Sequence, residues 1–107
     1  MFKFLAKIFG KNGPSIGELL TQGAYIVDVR SPNEFKNAHG KDSTNIPLNS
    51  IQSKISSLRK QKKPIITCCM SGMRSGRAVK ILRKAGIEAH NGGSWQSVEK
   101  ILNSNIE

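Results

Sequence analysis

Acidic residues are scarce in this chain of 107 residues. Seven Asp and Glu stand against 17 Lys and Arg, for a net charge of +10. The shortage is sharpest between Ser43 and Ile87, where there are ten Lys and Arg and not one Asp or Glu. Such a stretch is either a solvated basic surface or the source of a positive field that draws in small anions. Aromatic residues are few as well. One Trp and one Tyr offer no stacking platform and no nucleic-acid-binding motif is present, so nucleic acid is set aside as a partner. Cysteine is confined to the neighbours Cys68 and Cys69. Two adjacent cysteines staple no fold and suit a reducing compartment, which points to the cytoplasm. They are badly placed to chelate a metal together, there is no Cys-x-x-Cys, and His39 and His90 lie far apart, so no metal site is expected. No internal repeat or low-complexity segment breaks the chain. Its length gives one domain with one modest core, expected to be a monomer.

What is present falls into two parts. In residues 1–11, Lys3, Lys7 and Lys11 share one helical face while Phe2, Phe4, Leu5, Ile8 and Phe9 fill the rest. This basic amphipathic helix is too short to span a bilayer, and Lys7 interrupts its apolar run as no signal peptide would allow. It either docks on its own domain or makes weak peripheral contact with a membrane or a partner. Residues 11–14 read as a linker, so the division is a segment 1–14 followed by a domain 15–107.

Within the domain, Ser15-x-x-Glu18 and Ser31-Pro32-x-Glu34 are capping boxes, which predict helices from Ile16 to about Gln22 and from Pro32 to about Asn37. Ala24 to Val29 and Ile65 to Cys68 are apolar runs suited to parallel strands buried on both faces. Asn45 to Leu48 makes at most a brief strand, cut short by Pro47. Ile51, Ile55 and Leu58 mark a helix capped by Asn49. Ala78, Ile81, Leu82 and Ala85 mark another over Ser75 to Ala85. Ile87 to His90 is a short strand, and Ser94 caps a last helix with Trp95, Val98, Ile101 and Leu102 on its inner face. Strands alternating with helices give an α/β fold with a mostly parallel central sheet and helices on both faces.

The stretch with chemistry in it is Cys69-Met70-Ser71-Gly72-Met73-Arg74-Ser75. It leaves the carboxyl end of a buried strand and enters a helix, where ligands of open α/β sheets bind. Loop amides and a helix N-terminus favour negative charge there, so a thiolate at Cys69 is stabilised and nucleophilic near neutral pH. Gly72 lets the backbone turn so that its amides converge. Met70 and Met73 either line the mouth of the site or are plain exposed loop residues. Arg74, the last residue of the loop, is read as holding an anionic donor, with a side chain directed into solvent as the alternative. Cys68, one residue back in the strand, points to the opposite side and is read as core, with a resolving thiol as the alternative. Asp28 is read as pairing with an Arg or capping a turn. Arg30 either approaches the substrate or forms a structural ion pair. His39 is read as making local hydrogen bonds, and Trp95 as packing.

This loop resembles that of the rhodanese family, the sulfurtransferases, and the resemblance extends along the chain. Asp28-Val29-Arg30 followed by Glu34-Phe35 is similar to one family signature. His39 with Asn45-Ile46-Pro47-Leu48 is similar to a second, and Gly92-Gly93-Ser94-Trp95 to the last. The motifs stand in family order over residues 15 to 103. After His39 the family carries an apolar residue and Pro-Gly-Ala, whereas this chain has Gly40, Lys41, Asp42 and Ser43, which makes that loop more polar. The resemblance implies a single rhodanese-like domain in which Cys69 is the catalytic residue and Met70, Ser71, Gly72, Met73, Arg74, Ser75 and Arg30 surround the substrate. It implies transfer of a sulfane sulfur from a small anionic donor such as thiosulfate to cyanide or a thiol, a protein thiol included, with no cofactor. Two alternatives stand beside it. Cysteine phosphatases and arsenate reductases also end a Cys loop with Arg, but with five residues between them where this chain has four. A rhodanese-like module that binds a partner without catalysis commonly lacks the cysteine, which this chain keeps.

Overall fold

The structure is a computed structural model that describes residues 13–106; the basic amphipathic segment, and the membrane or partner contact expected of it, lie outside the described residues. Four strands form one parallel sheet: β1 (Tyr25–Asp28), β2 (Ser43–Asn45), β3 (Ile65–Cys69) and β4 (Ala89–Ser94), in the order β2-β1-β3-β4. Among the described residues five α-helices connect and flank them: α1 (Ile16–Thr21), α2 (Pro32–Asn37), α3 (Ile55–Lys60), α4 (Met73–Lys84) and α5 (Trp95–Ile106). Among the described residues no strand precedes α1.

Two helix starts are written in the sequence and form as expected. Ser15 and Ser31 each accept from the backbone amide of Glu18 and Glu34, and each glutamate carboxylate accepts from the backbone of its serine. A reciprocal pair of this kind satisfies two of the amides that a helix start leaves open, which is what lets helices of six residues hold. Ser94 also caps as expected, its Oγ accepting from the Ser97 amide at 3.1 Å.

The central strand β3 is buried along its whole length. Alternation divides its side chains between two cores. Ile65 and Cys69 face a cluster with Val27, Val29, Ile51, Leu58, Ala78 and Leu82, under α3 and α4. Ile66 and Cys68 face the other, with Leu19, Leu20, Ile26 and Val98, under α1 and α5. The two neighbouring cysteines therefore occupy opposite faces of the sheet.

Four boundaries differ from the sequence expectation. The strand expected at Asn45 to Leu48 lies earlier, at Ser43–Asn45, because Gly40 to Ser43 closes a turn in which the Ser43 amide and hydroxyl both donate to the Gly40 carbonyl. The helix expected from Asn49 begins as two 3₁₀ turns, Leu48–Ser50 and Gln52–Lys54, neither with a side-chain cap, and becomes α only at Ile55. The strand expected at Ile87 to His90 runs instead to Ser94, with an irregularity in its pairing to β3 between Thr67 and Cys69. The glycines continue this strand because Gly92 fits where nothing larger does: a Cβ there would lie 2.6 Å from Val98 and 2.8 Å from Ile66. Finally, α4 starts at Met73, two residues before the expected Ser75, so Met73 and Arg74 belong to its first turn.

Candidate active site

Cys69 ends β3, and the chain then turns over Met70, Ser71 and Gly72 into α4. Gly72 makes the turn possible. It sits at the helix N-cap with φ 104°, a left-handed conformation that a side chain would resist. Its amide donates to the Cys69 Sγ at 3.0 Å, and the Ser75 hydroxyl lies 3.4 Å from the same sulfur. Burial pushes the Cys69 thiol up, but the Ser75 hydroxyl and the backbone amides of Ser75, Gly72 and Ser71 outweigh it and bring the pKa down to about 7. This is the thiolate-favouring cradle expected of a strand-loop-helix cysteine. Cys68 is the opposite case. Burial, with Asp28 beside it, pushes its thiol up to about 12, so it stays protonated and inert.

A residue that sequence reasoning missed holds the cradle in place. Asn91, on β4, donates from Nδ2 to the Gly72 carbonyl at 2.9 Å. Its Oδ1 accepts from the Ser75 hydroxyl at 2.7 Å and from the Gly93 amide at 2.9 Å. Thr67 adds a buried bond from its hydroxyl to the Ser75 carbonyl at 2.9 Å. One amide side chain thus ties the end of the loop and the first turn of α4 to the neighbouring strand. Nothing in the local sequence marks Asn91, because its role arises only from the irregular pairing of β3 with β4.

The Ser75 hydroxyl has one proton and two acceptors within reach. While Cys69 is a thiol, that proton goes to Asn91 and the hydroxyl accepts from the S–H. Turned toward a Cys69 thiolate, the same hydroxyl would donate to the sulfur instead. Ser75, expected around the substrate, is fully buried and touches the nucleophile instead.

Both arginines expected at the substrate are engaged elsewhere. Arg30 is buried, its fork donating to the Asp28 carboxylate at 2.7 to 3.0 Å. It also donates to the Ala38 carbonyl at 2.7 Å and lies 5.1 Å from the Trp95 ring. Of its two readings, the structural ion pair is the one present, and Asp28 is its partner. Arg74 was read as holding an anionic donor, but both nitrogens of its fork donate to Glu34, at 2.7 and 3.0 Å. Because α4 starts early, Arg74 leaves from a helical turn toward α2 rather than from the loop. The pairing with Arg74, helped by the Ser31 amide, holds the Glu34 carboxyl at about 2. Met70 and Met73 are 51% and 73% exposed. His39 makes the local contacts expected, with Nδ1 2.6 Å from the Phe35 carbonyl and its ring stacked on Phe35. Among the described residues no group of three or more His, Cys, Asp or Glu is arranged to hold a metal.

Solved structures share this fold. A rhodanese from E. coli, solved with anions, superposes with a TM-score of 0.65 at 27% identity, covering 70% of this chain and 91% of that one. A rhodanese-related protein from Thermoplasma volcanium gives 0.67 at 27%, covering 79% and 87%. The human single-domain sulfurtransferase TSTD1 gives 0.61 at 25%, covering 74% and 84%. Among curated sequences, the uncharacterized protein YqhL of Bacillus subtilis (strain 168) is 41% identical over 63 residues, which is 59% of this chain and 49% of that protein. The uncharacterized protein slr1261 of Synechocystis is 38% identical over 76 residues, 69% of this chain and 41% of its own length. The chain thus spans less than half the length of the curated relatives it matches. The profile of the rhodanese-like domain matches residues 15–99, from the first capping box through the cysteine loop and into the last helix. This chain belongs to the rhodanese-like domain family.

Proposed function

We propose that this domain is a sulfurtransferase that carries a sulfane sulfur as a persulfide on Cys69. The observation that supports it most is the cradle at Sγ, where three backbone amides and the Ser75 hydroxyl hold a buried thiol at a pKa of about 7. The thiolate attacks the outer sulfur of a donor such as thiosulfate. The new S–S bond forms as the donor's S–S bond breaks, sulfite leaves with the electron pair, and the charge of the persulfide rests on the outer sulfur. Cyanide or a thiol, that of a protein included, then attacks that outer sulfur and releases the Cys69 thiolate. The sequence closes without a cofactor. Loop amides stabilise the anion at each stage, as an oxyanion hole does.

Burial of the nucleophile favours this chemistry over phosphoryl transfer. Cys69 is 1% exposed, so it is suited to a reacting atom that arrives end-on. A terminal sulfur does so, whereas a phosphorus atom comes wrapped in oxygens. A phosphate also needs the loop arginine, whose fork is closed on Glu34.

Intact-protein mass spectrometry after incubation with a sulfane donor tests the reading. The expected product is one added sulfur atom on Cys69, discharged by cyanide as thiocyanate. Cys69→Ser should abolish the adduct and Cys68→Ser should keep it. Hydrolysis of an aryl phosphate without any sulfur adduct would reject the proposal.

A further inference from the structure

The end of the sheet opposite Cys69 carries a feature that the sulfur chemistry leaves unused. Two connections run side by side there, from α3 into β3 and from α4 into β4, joined by the Ile65 amide, which donates to the Glu88 carbonyl at 2.9 Å. Arg59 bridges them as well, donating from Nη2 to the Ala85 carbonyl at 2.8 Å. Between them lies a groove of about 230 Å³. Its apolar lining is Leu58, Pro64 and Ile87, of which Leu58 and Ile87 are buried. Its cations are Arg59, Lys62 and Lys63, all exposed. The one carboxylate lining it, Glu88, already lies 2.8 Å from His90 Nε2. Among the described residues no carboxylate forms an ion pair with Lys62 or Lys63. Helix C-termini attract cations of their own accord, and Arg59 answers that need at the end of α4. Lys62 stands apart. It lies just past the end of α3 with φ 53°, and among the described residues no other residue except glycine is left-handed. α1 and α4 end in the same way, each with a glycine one residue past its cap, Gly23 at φ 85° and Gly86 at φ 81°. At α3 a lysine takes the position where glycine would be free of strain. Strain accepted at a charged rim points to a use for the charge.

We infer that this groove is a docking site for an acidic segment of a partner protein, whose carboxylates meet Arg59, Lys62 and Lys63 while an apolar side chain between them reaches Leu58 and Ile87. Charge complementarity names the occupant, since the cations of the rim face one carboxylate that is already engaged. Shape selects a protein chain over a bilayer. The apolar lining is recessed, within reach of a protruding side chain but not of a lipid surface. The exposed large apolar side chains, Met70 and Met73, leave from the other end of β3. A second copy of this chain is disfavoured by the net charge of +10. The five residues of β3 separate the groove from the cysteine loop, a distance on the order of 15 Å. A segment held here therefore leaves the loop open.

Titration of the isotope-labelled full chain with a short peptide of alternating Glu and Leu, followed by amide NMR shifts, tests this. The expected result is saturable shifts at Lys62, Lys63, Gly86 and Ile87, with no change in the rate at which iodoacetamide alkylates Cys69. Lys62→Gly combined with Lys63→Gln removes two charges and the strain together. It should weaken the peptide about five- to tenfold, the scale of two exposed ion pairs, without lowering the midpoint of chemical denaturation. Lys63→Glu, which leaves Lys62 in place, should weaken the peptide to a similar degree. Lys36→Gln, on α2, removes a charge outside the groove and should change the affinity less than about twofold. Equal binding of a Gln-Leu peptide, an unchanged affinity in both groove variants, or shifts centred on the cysteine loop would overturn the inference. So would vesicles of phosphatidylserine that bind the chain through Lys62 and Lys63 when the peptide does not, since the occupant would then be a membrane.

Discussion

Two adjacent cysteines have opposite chemistry because one residue of strand separates them. Cys68 faces apolar neighbours and its thiol is held up at about 12, while Cys69 faces amides and a hydroxyl and is held down at about 7. The rate of Cys69 alkylation by iodoacetamide should therefore rise with pH along a single curve of midpoint about 7. Cys68 should stay unmodified in the folded chain. Ser75→Ala removes the hydroxyl that turns toward the thiolate and should move the midpoint up by roughly one pH unit. Asn91→Ala should act on the same curve through the loop, since it frees both Gly72 and Ser75. A midpoint that stays at 7 in both variants would mean that the amides alone set it. The same ionisation bears on stability. The folded pKa lies below that of a free thiol, so the contribution is complete above the unfolded value and is lost as pH falls through about 7.

At the scale of elements, β4 and its glycines decide whether the cradle exists. Gly92 lets β4 pass against β3 and α5 while Asn91 reaches the loop. Gly92→Ala would put a Cβ within 3.0 Å of Val98, Ile66 and the Thr67 carbonyl, all of them packed. The expected result is a loss of about 1–3 kcal/mol in chemical denaturation, as for other overpacked sites, together with slower loading of Cys69. Unchanged stability would mean that α5 yields easily. Much at this scale was legible from local pattern. The capping boxes at Ser15 and Ser31, the β3 run and the Ser94 cap each depend on residues within four positions of one another. Glu34 was legible as a cap but not as the partner of Arg74, 40 residues away. The same holds for Asn91 and Ser75, 16 apart. The early start of α4 was hidden for another reason: Gly72 reads as a loop residue until its left-handed φ is seen to cap the helix.

For the whole molecule, charge acts at two ranges, and they point in different directions. Arg30 and Arg74 are each paired with a carboxylate, yet the chain carries +10 and an acid-free stretch from Ser43 to Ile87 surrounds the loop in sequence. Long-range fields speed the arrival of an anion without holding it, whereas a clamp at the site holds it. The two are separated by salt. The Debye length falls from about 30 Å at 0.01 M to about 10 Å at 0.1 M, so exposed charges lose their reach while buried pairs are little changed. If the basic surface steers anions, kcat/KM for thiosulfate should fall about two- to fivefold over that range, because electrostatic steering weakens with ionic strength. The turnover at saturation should change much less. A donor without net charge should show no such dependence in the same buffers. A flat response for thiosulfate would leave the ten cations of that stretch without a steering role.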